Sequence, residues 1–414
     1  MGVIFSAAVW RRWVAQPTSM DHARHAPPET PTGTRLRSMH DKRPHIAAFL
    51  ATSGHSGVDR IMANLLPEMA RQGARVDLLK VKRHGPYIDD RPDGFRVIEL
   101  GSAHANTSLI PLIRYLRRER PDVVLSDKDR VNRTAMWATA LARTGTRNVV
   151  RLGTTVSRNL ERKSRLERWA QATSIRRFYN HADRVIVPSA GVAHDLTECY
   201  GIHSDRIAVL PSPVLTARAY SLAQDEAPLP WSAETPYVLG VGHFCERKDF
   251  ATLIRAVAQV RKTHTCNLVL LGQGKEHDHL QQLAGELGFG DDIYMPGFSP
   301  NPYAYMRNAS VFALTSRWEG MPVVLVESLG MGTPVVATDC PSGPKELLRD
   351  GALGALVPMG DVDATAQAII DTLERPLPER TLKDAVASYD VTASAAEYLR
   401  VCCGMQTNNK ENQP

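Results

Sequence analysis

From Pro44 onward the chain alternates between short apolar runs and longer stretches whose apolar residues recur at helical spacing. "HIAAFLA" (45–51) is long enough for one buried strand and is followed by the Ser/Gly turn "TSGHSG". "VDRIMANLLPEMARQG" (58–73) then places apolar residues three and four apart and stops at Gly73, as a helix does. "RVDLLKV", "PDVVLS", "RNVVRLG" and "DRVIVPS" continue the strand series, separated by helical stretches such as "NRTAMWATALAR". Strands that are apolar throughout are covered on both faces. Strand–helix–strand order forces right-handed crossovers. The pattern therefore predicts an α/β fold with a parallel sheet between two layers of helices.

The rhythm lapses over residues 212–236, a segment rich in Pro, Ala and Ser with no strong period, and then restarts. "YVLGVGHF", "CNLVLLG", "DIYMPG", "SVFALTS", "TPVVAT" and "ALGALV" read as strands, and "DFATLIRAVAQVRKT", "EHDHLQQLAGELG" and "DATAQAIIDTLE" as helices. The expected organisation is two doubly wound, Rossmann-like domains, 44–211 and 237–403, joined by a linker at 212–236. The last helix has the option of packing back on the first domain. Residues 1–43, without periodicity, are read as a disordered extension and 404–414 as a polar tail. Two such domains leave a cleft between the carboxyl ends of their strands, where sheets of this kind bind ligands.

Composition narrows the class. A length of 414 residues exceeds what one ordinary core holds, and 43% hydrophobic with 23% charged residues is the balance of a soluble globular protein. No window reaches the roughly 20 apolar residues of a membrane-spanning helix. Six cysteines (Cys199, Cys245, Cys266, Cys340, Cys402 and Cys403) show no CxxC and no ligand spacing, which fits free thiols in a reducing cytoplasm. The fourteen histidines contain no HExxH, so no metal site is expected. The net charge of +6 conceals a split. Residues 1–200 hold 33 Lys and Arg against 19 Asp and Glu, whereas the remainder holds 17 against 25. The first half therefore suits an anionic partner, or carries a solvated basic surface.

Two stretches carry chemistry. "GHFCERKDF" (242–250) lies between a strand and a helix, where free amides receive anions, and Arg247 and Lys248 add positive charge at that spot. This reads as a diphosphate clamp. In "SVFALTSRWEGMPVVLVESLG" (310–330), Glu319 falls at the carboxyl end of a strand, facing the cleft. Pro322 suits the first turn of the following helix, with the amides near Gly320, Met321 and Val323 free to meet a ligand. Glu327 sits among apolar residues inside that helix, part-buried, where vicinal ribose hydroxyls would give its carboxylate two donors. Taken alone, the same acidic residues also fit a helix cap and a solvated face.

Residues 237–372 resemble the donor half of the family 4 retaining glycosyltransferases, which have the two-domain GT-B fold. The matching stretches are "VGHFCERKDFATLI", "LLGQGKE", "PGFSPNPYAYMRNASVFALTSRWEGMPVVLVESLGMGTPVVATDCPSGPKELL" and "GALVPMGD". The first half matches more loosely through "SGHSGVDRIMANLLPEMARQGARVDLL", "RPDVVLS" and "ADRVIVPSAGVAHDL". The resemblance implies that Glu319 contacts the donor sugar, Glu327 the ribose and Lys248 the diphosphate. It implies a first-domain loop near the diphosphate or acceptor at Ser56, Gly57 and Arg60, with Ser56 in place of a frequent glycine. Gly242-His243 stands where the family usually has Gly-Arg, so Arg247 or a pH-dependent His243 takes over that contact. Gly153, Thr154 and Thr155 stand where many members have a histidine.

The implied activity is retaining, metal-independent transfer from a nucleotide sugar, UDP-linked by default, to a hydroxyl of a lipid-linked or polysaccharide acceptor in cell-surface glycan synthesis. Also open are a sugar-nucleotide epimerase or phosphorylase of this architecture, and a non-catalytic nucleotide-sugar-binding subunit. No complete GxGxxG follows a strand, which argues against a dinucleotide enzyme, and no nucleic-acid motif is present. Segment 158–179 carries Arg158, Arg162, Lys163, Arg165, Arg168, Arg176 and Arg177 against Glu161 and Glu167, with Leu166, Trp169 and Ala170 at helical spacing. It reads as a peripheral contact with the anionic inner face of the plasma membrane, or as a charged helix packed on its own domain.

Overall fold

The structure, a computed structural model, describes residues 43–404 apart from 53, 55, 56, 162, 163 and 233. The extension and the tail read from the sequence lie outside the described residues but for Arg43 and Gly404.

Seven strands form the first sheet: β1 (His45–Leu50), β2 (Arg75–Lys80), β3 (Phe95–Glu99), β4 (Val123–Asp127), β5 (Arg147–Arg151), β6 (Arg184–Val187) and β7 (Ile207–Val209). Their order is 3-2-1-4-5-6-7, and every pairing is parallel. Between them run α1 (Gly57–Arg71), α2 (Leu109–Glu119), α3 (Asp129–Ala142), α4 (Val156–Glu161), α5 (Arg165–Phe178) and α6 (Ala190–Tyr200). Because successive strand residues point to opposite faces, β1 feeds two cores. Ile46, Ala48 and Leu50 pack with Met62, Leu65 and Met69 of α1, whereas Ala47 and Phe49 pack with Leu112 of α2 and Ala135 of α3.

After α7 (Ala217–Leu222) comes the second sheet: β8 (Tyr237–Val241), β9 (Asn267–Leu271), β10 (Ile293–Gly297), β11 (Val311–Leu314), β12 (Val335–Thr338) and β13 (Ala355–Val357). Its order is 10-9-8-11-12-13, again all parallel. The intervening helices are α8 (Phe250–Val260), α9 (His277–Glu286), α10 (Pro302–Asn308), α11 (Val323–Met331), α12 (Pro344–Leu347) and α13 (Val362–Glu374). After them, α14 (Glu379–Ala385) packs on α11, and α15 (Val391–Cys403) crosses back. Ala395, Tyr398, Val401 and Cys402 of α15 complete the core formed by β1 and α1, so residues 391–403 belong physically to the first sheet.

Two strands and several short helices, among them α7, α10, α12 and α14, escaped the sequence reading. β3 and β7 are edge strands, half-exposed in part, and so lack a continuous apolar run. Helix α7 sits inside the Pro-rich linker. Its Thr216 hydroxyl accepts from the Ala219 amide as an N-cap, but six residues are too few to display a period.

Each sheet has one point where strand order reverses, between β1 and β4 and between β8 and β11. A crevice opens at such a point because consecutive crossovers leave in opposite directions. The loops after these four strands carry the chemistry.

Candidate active site

The loop after β8 is pinned from both sides. Gly242 N donates to Leu271 O at 2.9 Å and Phe244 N to Gln273 O at 2.9 Å. Thr315, just past β11, donates its hydroxyl to Lys248 O and Asp249 O, each at 3.0 Å, and Arg317 N donates to Arg247 O at 2.8 Å. A Cβ on Gly242 would lie 2.9 Å from Lys248 Cε, so a larger residue there would displace the lysine side chain. Asp249 holds φ +46°, a left-handed conformation that costs a non-glycine residue roughly 1–3 kcal/mol and is concentrated at functional sites.

This bracing brings Lys248 and Arg247 onto Glu319. Lys248 Nζ lies 2.7 Å from Glu319 Oε1, which also accepts from Ser316 Oγ at 2.8 Å, and Arg247 lies 2.7 Å from Oε2. Glu319 is 8% exposed and Lys248 7%, so the charges face one another with little water between them. Burial alone would push the Glu319 carboxyl upward. The charges of Lys248 and Arg247 and the bonds from Lys248 and Ser316 outweigh it and hold the group below its ordinary value of 4.5. Two cations thus face one carboxylate at this point of the cleft. The sequence reading aimed Lys248 at a diphosphate and Glu319 at a sugar; the structure joins the two side chains directly.

Glu319, Arg247, Gly320, Met321 and Val323 line a cavity of about 600 Å³, whose opposite wall comes from the first domain: Gly57, Asp127, Lys128, Gly153, Thr154 and Thr155. The approach is close. A Cβ on Gly320 would sit 3.0 Å from Thr154 Cα and 3.1 Å from Gly153 O. The backbone at the site of the usual family histidine is thus packed against Gly320. Glu346 of α12 receives the Ala190 and Gly191 amides at the start of α6, and Thr155 Oγ1 donates to Ser342 Oγ at 3.2 Å. These contacts join the two domains across the cleft.

A second cavity, of about 770 Å³, is lined by Arg60, Tyr87, Gly242, His243, Phe298 and Tyr303 among others. His243 is exposed there, so the exposed imidazole and the Arg247 guanidinium serve different cavities. Behind this wall Glu327 accepts from Tyr303 OH at 3.1 Å and pairs with Arg60.

Four details differ from the sequence expectation. Glu327 is completely buried rather than part-buried, because α10 and α14 cover α11. The helix starts at Val323 with Pro322 as its cap, one residue later than placed from sequence. Val323 N is spent on Met321 O at 2.9 Å, which leaves Gly320 and Met321 as the residues of this turn whose amides make no backbone bond among the described residues. Arg60 reaches the Glu327 end of the cleft, whereas Gly57 faces the Glu319 end. Ser56 lies outside the described residues. Tyr303, Phe298, Ser316, Lys128 and Asp127 were not singled out from sequence. Only Asp127 left a signal there, as an acid closing a buried strand before a helix, in "VVLSDKDR".

Among the described residues no group of three or more His, Cys, Asp or Glu is placed to hold a metal ion, and no helix is long and apolar enough to cross a membrane. All six cysteines are free.

Two parallel Rossmann-like sheets facing one another across a cleft form the GT-B architecture. Comparison with known proteins agrees at both halves: residues 223–387 match the family of glycosyl transferases group 1, and residues 55–218 match glycosyltransferase family 4. The chain belongs to this family. It is 28% identical over 358 residues to the lipopolysaccharide core biosynthesis glycosyltransferase LpsE of Rhizobium meliloti, covering 83% of this chain and 95% of the relative. It is 26% identical over 384 residues to an N-acetylgalactosaminyltransferase of Campylobacter jejuni that acts on a diphospho-undecaprenol-linked saccharide, covering 87% and 99%. Among solved structures, that of Anabaena HepE in complex with UDP shares the fold with a TM-score of 0.67, at 19% identity over 86% of this chain and 99% of that one.

Proposed function

We propose that this glycosyltransferase moves a sugar from a UDP-sugar to a hydroxyl of a lipid-linked or polysaccharide acceptor, with retention at the anomeric carbon and without a resident metal. The observation that carries the reading is the Lys248–Glu319–Arg247 cluster at the second-sheet switch point, facing the first domain across the cleft. The names of the relatives support the acceptor class: one builds lipopolysaccharide core and another extends a lipid diphosphate-linked saccharide. The UDP complex of HepE supports the nucleotide.

In this reading the bond between the anomeric carbon and the diphosphate oxygen breaks as the acceptor oxygen bonds to that carbon. The acceptor proton passes to the departing diphosphate. Lys248 and Arg247 stabilise the charge that grows on the leaving group, in place of a divalent ion. Glu319 supplies a fixed negative charge on the side where the anomeric carbon turns positive. Closure excludes water that would hydrolyse the donor. A thermal-shift panel of UDP-, GDP- and ADP-sugars tests the assignment, since donor binding raises stability by mass action, on the order of 2.7 kcal/mol at a hundredfold excess over Kd. UDP-sugars should give the largest shift. No shift with any of the three sinks the reading.

Glu327→Ala should weaken donor binding about tenfold or more, because bonds to a charged acceptor contribute roughly 1.5–3 kcal/mol. Calorimetry on a variant with an unchanged melting profile checks this. An unaltered affinity removes Glu327 from the ribose site.

The acceptor side extends to a peripheral membrane contact. A capping box between Ser164 and Glu167 starts α5, whose first turns are exposed: Leu166 is 74% and Trp169 67% exposed, between Arg165 and Arg168. Arg162 and Lys163, part of the basic segment read from sequence, lie outside the described residues. Further along, Ile175 is buried in the domain core and lines the cavity that holds Glu319. A basic helix that offers exposed Leu and Trp at one end and reaches the acceptor cavity at the other suits an anionic lipid surface. The protein should cosediment with phosphatidylglycerol-containing vesicles and be released steeply by salt, each basic contact contributing about 1 kcal/mol. Arg165→Glu combined with Arg168→Glu should abolish the binding without altering donor affinity. Wild type that ignores such vesicles at low salt would favour a soluble acceptor.

A further inference from the structure

Glu327 is at zero exposure, and its two carboxylate oxygens are treated differently. Oε1 pairs with the Arg60 guanidinium and accepts from Tyr303 OH at 3.1 Å, while Arg60 also donates to Tyr303 OH at 3.2 Å. Oε2 is buried and has no hydrogen-bond partner among the described residues. A buried anionic oxygen without a donor is costly, and natural folds rarely keep one unless a ligand completes it. Tyr303 and Arg60, the two residues that hold Oε1, both line the 770 Å³ cavity, so Glu327 is one side chain removed from it. Arg60 belongs to α1 of the first domain and is half-exposed, whereas Glu327 and Tyr303 belong to the second.

We propose that Arg60 is a positioning residue for donor binding. It and Tyr303 anchor one oxygen of Glu327 so that the carboxylate stays ionised and its other oxygen is kept for the ribose hydroxyls of the donor. Donor affinity then depends on the first domain being docked, because the anchoring charge arrives only with α1. The inference rests on the nucleotide-sugar reading above and adds a residue from the opposite domain to the ribose subsite.

The surroundings make the charge of Arg60 decisive. Helix α11 packs against α10, α14, β11 and β12. The two strands carry no charged residue. Helix α10 offers Tyr303 and Arg307; α14 offers Glu379 and Lys383, paired with each other, and Arg380 and Asp384, 3.6 Å apart. Glu379 abuts Gly332 beyond the end of α11, and the charge of Arg307 is felt at Glu379. Among the described residues, the cation that touches Glu327 is Arg60. Without it, a carboxyl in so dry a place prefers its neutral form at low pH.

The test is calorimetric titration with whichever of UDP, GDP and ADP binds wild type most tightly, from about pH 6 to about pH 8.5, comparing each variant with wild type at every pH so that ionisation of the nucleotide cancels. Arg60→Ala should lose about tenfold in affinity at the acid end and recover several-fold toward the alkaline end, as Glu327 regains its charge. Arg60→Lys, which keeps the charge, should track wild type to within a few-fold at all pH values. In a Glu327→Ala background, adding Arg60→Ala should produce no further pH-dependent change. Equal affinity of wild type and Arg60→Ala, or a loss that does not vary with pH, overturns the proposal. So does a loss in Arg60→Ala that persists unchanged when Glu327→Ala is already in place, because Arg60 would then touch the nucleotide itself. Failure of all three nucleotides to bind wild type would instead overturn the donor reading.

Discussion

Glu319→Gln should bind donor within a few-fold of wild type and turn over about 10²–10³ times more slowly, the scale on which single preorganised charges act in closed sites. The substitution keeps the shape and the bond from Ser316 but withdraws the negative charge that Lys248 and Arg247 now face at 2.7 Å. In the ground state the lost charge even favours the diphosphate, because both cations become free to meet it. The damage falls on the transition state, where the anomeric carbon turns positive and no fixed anion remains beside it. Steady-state kcat measured beside donor Kd separates the two effects, and turnover within about threefold of wild type would take Glu319 out of the chemistry. The direction of its pKa adds a pH statement. A carboxyl held below 4.5 contributes stability above that pH and loses it as pH falls through the depressed folded value. Loss of activity on the acid side through Glu319 should therefore begin only below 4.5.

Asp127→Ala should destabilise the fold by about 3–5 kcal/mol, the usual cost of stranding one member of a buried ion pair. Arg151 is 1% exposed at the end of β5. Its guanidinium donates to Asp127 at 2.6 Å, to Tyr398 OH of α15 at 3.0 Å and to Ser212 Oγ at 3.0 Å. Removing the carboxylate leaves a cation surrounded by neutral hydroxyls. A domain of this size loses about 2–4 °C per kcal/mol, so the melting temperature should fall by on the order of 10 °C. Because Tyr398 ties the returning helix to the same guanidinium, α15 should become sensitive to proteolysis in this variant. Replacing Asp127 by Leu and Arg151 by Met together should restore much of the stability, since no charge is then left buried. A melting temperature within about 2 °C of wild type for the single variant would show that the pair does not hold the sheet and helix together.

Much of this protein is legible in one dimension. The strand runs from "HIAAFLA" to "ALGALV" mark every strand of both sheets except the edge strands β3 and β7, because a doubly covered strand is apolar over most of its length, whatever else surrounds it. Lys248 and Glu319 could be placed at strand ends, and so at the cleft, because parallel α/β sheets put their loops and ligands on one side. Family resemblance then attached roles to positions that spacing alone left ambiguous.

The bare string holds the local grammar: two α/β repeats, the break between them, and the strand-end positions of the acidic and basic residues. Hydrophobic period and turn chemistry depend on neighbours within a few residues, so they survive in the bare string. Tertiary structure alone decided who meets whom. It put Glu319 between Lys248 and Arg247, gave Arg151 a partner on a helix 247 residues away, and sent α15 back to the first sheet. It also buried Glu327 completely and set Arg60 of the opposite domain against it. Such pairings depend on strand order and domain closure, where charge and desolvation are settled by groups far apart in the chain and no periodicity records them.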